Sequence, residues 1–124
     1  MNKVVCFAIV LGVFAVGYAN PSIRVGKLKH ATKLTIYKQG KDPISITNKE
    51  NIDSIVNLIE IKIDRNRVTA GTPPYRIEFW RSAGDRKPFE EIWVDQHGSW
   101  GFVKLRTIYG NDRKIVERIE TFYR

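Results

Sequence analysis

Residues 75–105, YRIEFWRSAGDRKPFEEIWVDQHGSWGFVKL, decide the fold of this chain. Two short connections, 82–88 and 96–98, divide the stretch into three runs in which apolar and polar residues alternate, the pattern of half-buried β-strands. The second connection, QHG, carries a glycine where a three-residue hairpin turn needs a positive φ. The stretch therefore predicts two consecutive antiparallel hairpins, with strands over 75–81, 89–95 and 99–105.

Upstream of this stretch, the sequence predicts a further hairpin and a helix. Apolar and polar residues alternate at 33–38 and again at 44–46, and turn-forming residues lie between them. Thr47 and Glu50 have the spacing of a capping box, in which each side chain satisfies a backbone N–H at a helix start. We expect a helix from Asn48 to about Asp64, and its buried stripe comprises Ile52, Ile55, Val56 and Ile59.

Downstream of the same stretch, a second helix closes the chain. Asn111 is the expected cap, and Asp112 suits the positive helix start. The element order is ββ-α-βββ-α, which predicts an α+β two-layer sandwich. In this architecture about five mainly antiparallel strands form one sheet, and both helices pack on one of its faces. Many unrelated domains share that plan, so it carries little functional information.

The N-terminus has the pattern of a secretory signal sequence. Lys3 precedes a short apolar run, and small residues follow up to Ala19, where cleavage is expected. The run is too short for a membrane span, so we expect a secreted or periplasmic chain with no transmembrane segment in its mature form. Residues 20–31 then read as a flexible or edge-strand arm, and residues 32–124 as a single domain.

Composition narrows the range of chemistry available to the mature chain. The single Cys, Cys6, lies inside the predicted signal, so the mature domain has no thiol nucleophile, thiolate metal site or disulfide. The two histidines, His30 and His97, make no metal-ligand cluster, and we predict no metal and no cofactor. The net charge of +8 is scattered, with one loose Lys cluster over 27–41. That cluster indicates either an anionic-polymer contact or an ordinary solvated surface.

The alternation of the three central strands suggests a candidate binding surface. If the mainly aliphatic side meets the helices, the other side carries aromatic and charged residues. Those predicted to take part in binding are Trp80, Trp93, Trp100, Phe102, Arg76 and Lys104. Three tryptophans would present roughly 450–750 Å² of mostly apolar surface, more than most monomers leave exposed in one patch. Intramolecular cover, a protein partner or second copy, and a stacking platform for sugars or bases all remain open.

The sequence therefore favours a non-enzymatic exported domain that binds another macromolecule, as an inhibitor or envelope accessory protein would. The expected partner is another protein or a second copy of the chain. The alternative is a small secreted nuclease or other hydrolase. In it, His97 would serve as general acid or base, and Glu78, Arg76, Arg81 and Arg106 would lie beside the phosphate. We assign no catalytic residue, because no motif in the chain specifies one.

Overall fold

A computed structural model describes residues 21–61, 72–82, 84–105 and 107–124 of the protein. Six antiparallel strands form one open sheet in the order β2-β1-β3-β4-β5-β6. The strands are β1 (Lys33–Lys38), β2 (Ile44–Ile46), β3 (Tyr75–Trp80), β4 (Glu90–Val94), β5 (Ser99–Phe102) and β6 (Gly110–Asn111). The α+β class and the antiparallel sheet are confirmed, but the sheet has six strands where five were predicted.

In the described ranges, three α-helices accompany the sheet, where the sequence predicted two. They are α1 (Pro21–Lys27), α2 (Lys49–Val56) and α3 (Arg113–Thr121), and a 3-10 turn, Leu28–His30, follows α1. An edge strand over 20–31 was therefore wrong for the described part of that segment. Leu28 of this segment is fully buried in the core, and this contact holds the segment against the domain.

Both predicted helices start one residue later than expected. Asn48, not Thr47, caps α2 by accepting a hydrogen bond from Asn51 N at 3.2 Å. Asp112, not Asn111, caps α3, because Asn111 is drawn into β6 opposite Ser99. Asn is a better cap than Thr, which favours Asn48, whereas Asn and Asp are equivalent, so preference alone does not separate Asn111 from Asp112.

Helix α2 is shorter than predicted, because its last helical residue is Val56 rather than a residue near Asp64. The chain turns at 57–58, yet Ile59 is still buried in the core. Ile59 is buried although it follows a turn. Its burial continues the helical spacing of Ile52, Ile55 and Val56, and the longer helix was predicted from that spacing. Residues 62–64, the end of the predicted helix, lie outside the described residues, as do residues 1–19 of the predicted signal.

One core joins the helices to one face of the sheet. Ile36, Ile77 and Ile92 lie side by side on β1, β3 and β4, and all three are fully buried. Ile55 of α2 and Ile115 of α3 belong to the same cluster. The helices therefore cover this side, which we call the inner face. None of the described helices is long and apolar enough to cross a membrane.

Candidate binding surface

The opposite side of the sheet, which we call the outer face, consists of the strand residues that alternate with the core positions. Its members are Lys33, Thr35, Tyr37, Arg76, Glu78, Trp80, Glu91, Trp93 and Gly101. The described helices bury their apolar residues against the inner face instead. The outer face is therefore where aromatic and charged side chains of the sheet meet with none of the described helices over them.

The structure corrects the predicted position of two aromatic residues. Trp100 and Phe102 were expected beside Trp93, but both are 0% exposed and belong to the core. The register explains this result: Val94 lies opposite Trp100, and Ile92 lies opposite Phe102, so these aromatic rings share the inner face with Val94 and Ile92. In this conformation neither Trp100 nor Phe102 can contact a partner.

A row of residues across four strands organises the outer face. Tyr37, Arg76, Trp93 and Gly101 are successive neighbours on β1, β3, β4 and β5. A Cβ atom at Gly101 would come within 2.5 Å of Trp93 Cζ2, so the indole lies directly over the glycine. Trp93 is only 8% exposed as a result. It forms the floor of the outer face rather than a protruding ring.

Arg76 is the charged member of this row. Its guanidinium carbon lies 4.2 Å from the centre of the Tyr37 ring, a cation–π distance. Its Nε atom lies 4.0 Å from Glu91 Oε2, which is the outer limit of an ion pair. The Arg76 side chain is 46% exposed. The guanidinium thus contacts the Tyr37 ring, while almost half of the Arg76 side chain faces solvent.

The acidic residues of the outer face have partners on the sheet itself. Glu78 and Glu91 lie directly opposite each other on β3 and β4, where like charges are unfavourable. Tyr37 donates its hydroxyl to Glu78 Oε1 at 2.8 Å, and this hydrogen bond, together with burial, raises the pKa of Tyr37. Glu78 is accordingly buried but satisfied. It acts as a structural partner of Tyr37 rather than as a free acid.

Trp80 lies at the far end of the outer face from Arg76. Lys33, its neighbour on β1, places Nζ 4.7 Å from the centre of the indole ring. The Trp80 Nε1 atom is buried and has no hydrogen-bond partner in the described structure. Trp80 therefore offers a partner its ring edge and the neighbouring cation, not its N–H group.

A groove of about 750 Å³ opens at the Arg76 end of the outer face, within the size range of ligand-binding pockets. Its lining combines aromatic, aliphatic and proline side chains with two cations. The lining residues are Tyr37, Lys38, Gln39, Thr72, Pro73, Pro74, Tyr75, Arg76, Trp93, Val103 and Leu105. A second groove, of about 310 Å³, shares Val103 with the first.

Val103 and Lys104 follow directly after β5. Val103 is 43% exposed although it is a large hydrophobic residue. Lys104 is exposed and lines the second groove, beside Glu91 and Lys87. The predicted binding residue Lys104 is thus on the surface, but in a turn and not on a strand beside Phe102. Together these two residues connect the two grooves.

At the other border of the large groove, a polar cluster joins β1 and β3 to helix α3. Lys38 Nζ lies 2.9 Å from the Glu120 carboxylate, and Tyr75 donates its hydroxyl to the same carboxylate. These bonds lower the pKa of Glu120, with the Tyr75 bond the larger cause. Burial and the Glu120 bond raise the pKa of Tyr75 to about 12. The charge of Lys38 is therefore engaged within the protein.

The residues considered for a nuclease are not brought together. His97 is exposed in the turn beyond Val94, next to the Tyr75 end of β3. Glu78 lies three residues further along β3, about 10 Å away at strand spacing, and Arg81 lies beyond the opposite end of β3. Arg106 lies outside the described residues. Within the described ranges, no group of three or more His, Cys, Asp or Glu side chains could hold a metal ion.

The Lys cluster over 27–41 is likewise dispersed. Lys33 and Lys38 start and end β1, and because they are five positions apart, an odd number, they point to opposite faces of the sheet. One of them stacks on Trp80 and the other pairs with Glu120. Two central members of the cluster therefore cannot present one continuous basic surface.

The sequence reasoning missed Tyr37, Pro73, Pro74 and Val103 as surface candidates. Tyr37 was counted only as part of a strand, although a Tyr at a polar position of an alternating strand signals the solvent side. Tyr37, the two prolines and Val103 come from three separate parts of the chain, and only the strand order brings them to one groove.

Comparisons of the chain with family models, with curated proteins and with solved structures found no match.

Proposed function

We propose that this chain is a non-enzymatic binding protein that takes up part of another protein on its outer face and in the adjoining large groove. The observation that carries the proposal is the outer face itself. The described helices pack on the inner face, whereas the outer face presents Arg76, Tyr37 and Trp80 among charged neighbours. Tyr, Trp and Arg are the residues most enriched at protein interfaces and their hot spots.

The proposed interface is smaller than the one that the sequence predicts. Trp100 and Phe102 are excluded by burial, while Trp80, Trp93, Arg76 and Lys104 remain accessible in different degrees. The exposed apolar surface at Val103 adds a hydrophobic contact at the junction of the two grooves. A polar rim around a small apolar centre is the usual anatomy of a protein–protein interface.

The proposal includes export of the protein to the periplasm or the exterior, because residues 1–19 have the pattern of a signal sequence. The mass of the protein purified from its producing cells tests this point. A chain that begins at Asn20 supports export, and a full-length chain in the cytoplasm contradicts it.

Site-specific photo-cross-linking tests the binding surface. A benzoylphenylalanine is placed at Val103 in one variant and at Ile23 of α1 in a second, matched variant, since these side chains are 43% and 45% exposed. We expect discrete cross-linked products at Val103 and not at Ile23 after irradiation of the producing cells. Mass spectrometry then distinguishes a foreign protein from a second copy of the chain. Absence of products at Val103, or the same products at both positions, would refute the proposal.

A further inference from the structure

The chemistry of the large groove restricts what it can bind. Its described lining contains two cations, Lys38 and Arg76, and no carboxylate. Lys38 is already paired with Glu120 at 2.9 Å, so its charge is satisfied from the inner side. The ion pair of Arg76, to Glu91, is longer, at 4.0 Å. The described lining of the groove therefore supplies no carboxylate of its own, and the nearest anionic contact of Arg76 is the long one to Glu91.

Arg76 is also oriented for a specific type of contact. The guanidinium carbon lies 4.2 Å from the centre of the Tyr37 ring, and this contact restricts the side chain, which reduces the conformational entropy lost when a ligand binds. A guanidinium with an accessible donor edge binds a carboxylate through two parallel hydrogen bonds of about 2.7–2.9 Å. Such a contact is much shorter than the 4.0 Å contact with Glu91, and it would therefore compete successfully with it.

The rest of the lining is suited to an apolar side chain. Trp93 forms the floor, held down over Gly101, and Val103 and Leu105 stand on one side. Pro73 and Pro74 add rigid apolar surface near the end of β3. A volume of about 750 Å³ accommodates a few residues of an extended peptide, rather than a folded domain.

From these observations we infer that the groove binds an extended peptide segment of a partner protein, in which a large apolar side chain lies within one or two residues of a carboxylate. The apolar side chain would contact Trp93 and Val103, and the carboxylate would bind Arg76. This inference rests on the proposed function, because it specifies the chemistry of the partner at the same surface. Charge complementarity with Arg76 favours an acidic segment over a neutral or basic one.

Peptide pools test the inference on the full mature chain. One pool contains acetylated and amidated heptapeptides with a central Phe or Leu and two Glu residues at varied positions. The second pool has Gln in place of each Glu. We expect the immobilised protein to retain the Glu pool at least about tenfold more strongly than the Gln pool at low salt, and to lose this preference as salt screens the contact.

Three variants assign the preference to the proposed residue. Arg76→Gln is expected to remove the preference for the Glu pool, and Arg76→Lys to retain only part of it, since an ammonium group cannot form the bidentate contact. Arg113→Gln, at an exposed position that starts α3, is the matched control and should behave as wild type. Circular dichroism checks that each variant is folded.

The outcomes separate the inference from the proposed function. Equal retention of both pools, no retention of either, or an unchanged preference in the Arg76→Gln variant would overturn the inference. If cross-linking at Val103 still yields a specific product in that case, the outer face binds a partner of different chemistry. If cross-linking at Val103 fails as well, the proposed function is wrong too.

Discussion

The substitution Gly101→Ala tests the arrangement on which the outer face depends. The added Cβ would lie 2.5 Å from Trp93 Cζ2 on one side and 2.6 Å from the Thr107 carbonyl oxygen on the other. Carbon atoms pack at about 3.5–4.0 Å, so Trp93 would have to move by roughly 1 Å. The Thr107 atom belongs to the backbone, so it cannot yield by a side-chain rotation.

The magnitude of this effect follows from two opposing contributions. Overpacking of this kind typically costs about 1–3 kcal/mol, whereas replacing Gly by Ala stabilises by about 0.4–1 kcal/mol through the unfolded chain. The steric cost is larger, so we expect a net loss of about 1–2 kcal/mol. For a domain of this size, each kcal/mol lowers Tm by about 4–8 °C. The variant should therefore melt about 5–15 °C below wild type.

Thermal unfolding followed by circular dichroism measures this change, and Gly84→Ala provides the control. A Cβ at Gly84 meets no atom within 4 Å, and its φ is not in the left-handed region. We expect its Tm to stay within a few degrees of wild type. The reasoning would be refuted if Gly101→Ala melted at the wild-type temperature, because Trp93 would then not be held against Gly101.

Further predictions concern the core and the polar cluster beside the groove. Trp100→Ala should lower the free energy of unfolding by about 3–5 kcal/mol in urea titrations, and a smaller loss than in Trp80→Ala would contradict the burial described. The pKa of Tyr75 is about 12 in the folded chain and 10 in the unfolded chain. Between pH 10 and 12 the folded chain therefore binds more protons, and its stability should fall as pH rises. Tyr75→Phe should reduce that fall without abolishing it, because the pKa values of Tyr37 and Tyr123 are also raised, and an unchanged profile would refute the assignment. The folded-state pKa of Glu120 is lowered, so its contribution is present above the ordinary value of 4.5 and is lost as pH falls further. Glu120→Gln should flatten the acid side of the unfolding profile, and a slope equal to that of wild type would contradict this.

The sequence predicted much of the central hairpins because their turn chemistry is local. Gly98 adopts a φ of +88°, as the QHG turn requires, and the first strand differs from its predicted bounds only by Arg81. The length of the same turn also indicates which face of the sheet Trp100 occupies. A three-residue turn at 96–98 places Asp95 opposite Ser99, and therefore Val94 opposite Trp100, so these two residues must share a face.

The face of the sheet that Trp100 and Phe102 occupy was predicted wrongly, because the third strand was taken to extend to Leu105. Over that length, Val103 and Leu105 form an aliphatic set that looks suited to the core. The strand in fact ends at Phe102, and the chain turns at 103–104. Within the shorter strand, Trp100 and Phe102 bury far more apolar area than Gly101 could. This difference decides which residues of the strand face the core.

The groove could not be predicted from the sequence, because it depends on tertiary neighbours. Tyr37 lies beside Arg76 only because β1 pairs with β3, although β2 and helix α2 lie between these two strands in the sequence. Nothing in the local sequence around Tyr37 indicates which strand will lie beside it. The prediction of individual strands was therefore more successful than the prediction of the surface that they form together.

The order of the strands has a consequence for how the chain folds. Strands β3 to β6 form a meander in which every pairing joins consecutive strands, whereas the pairing of β1 with β3 must close a long loop that includes α2. Local pairings form faster, because closing a longer loop costs more entropy. We expect the meander to form first and the β1–β2 hairpin to dock onto it later. Substitutions at Leu34 of β1 should then mainly speed unfolding, while substitutions in the β4–β5 hairpin should slow folding.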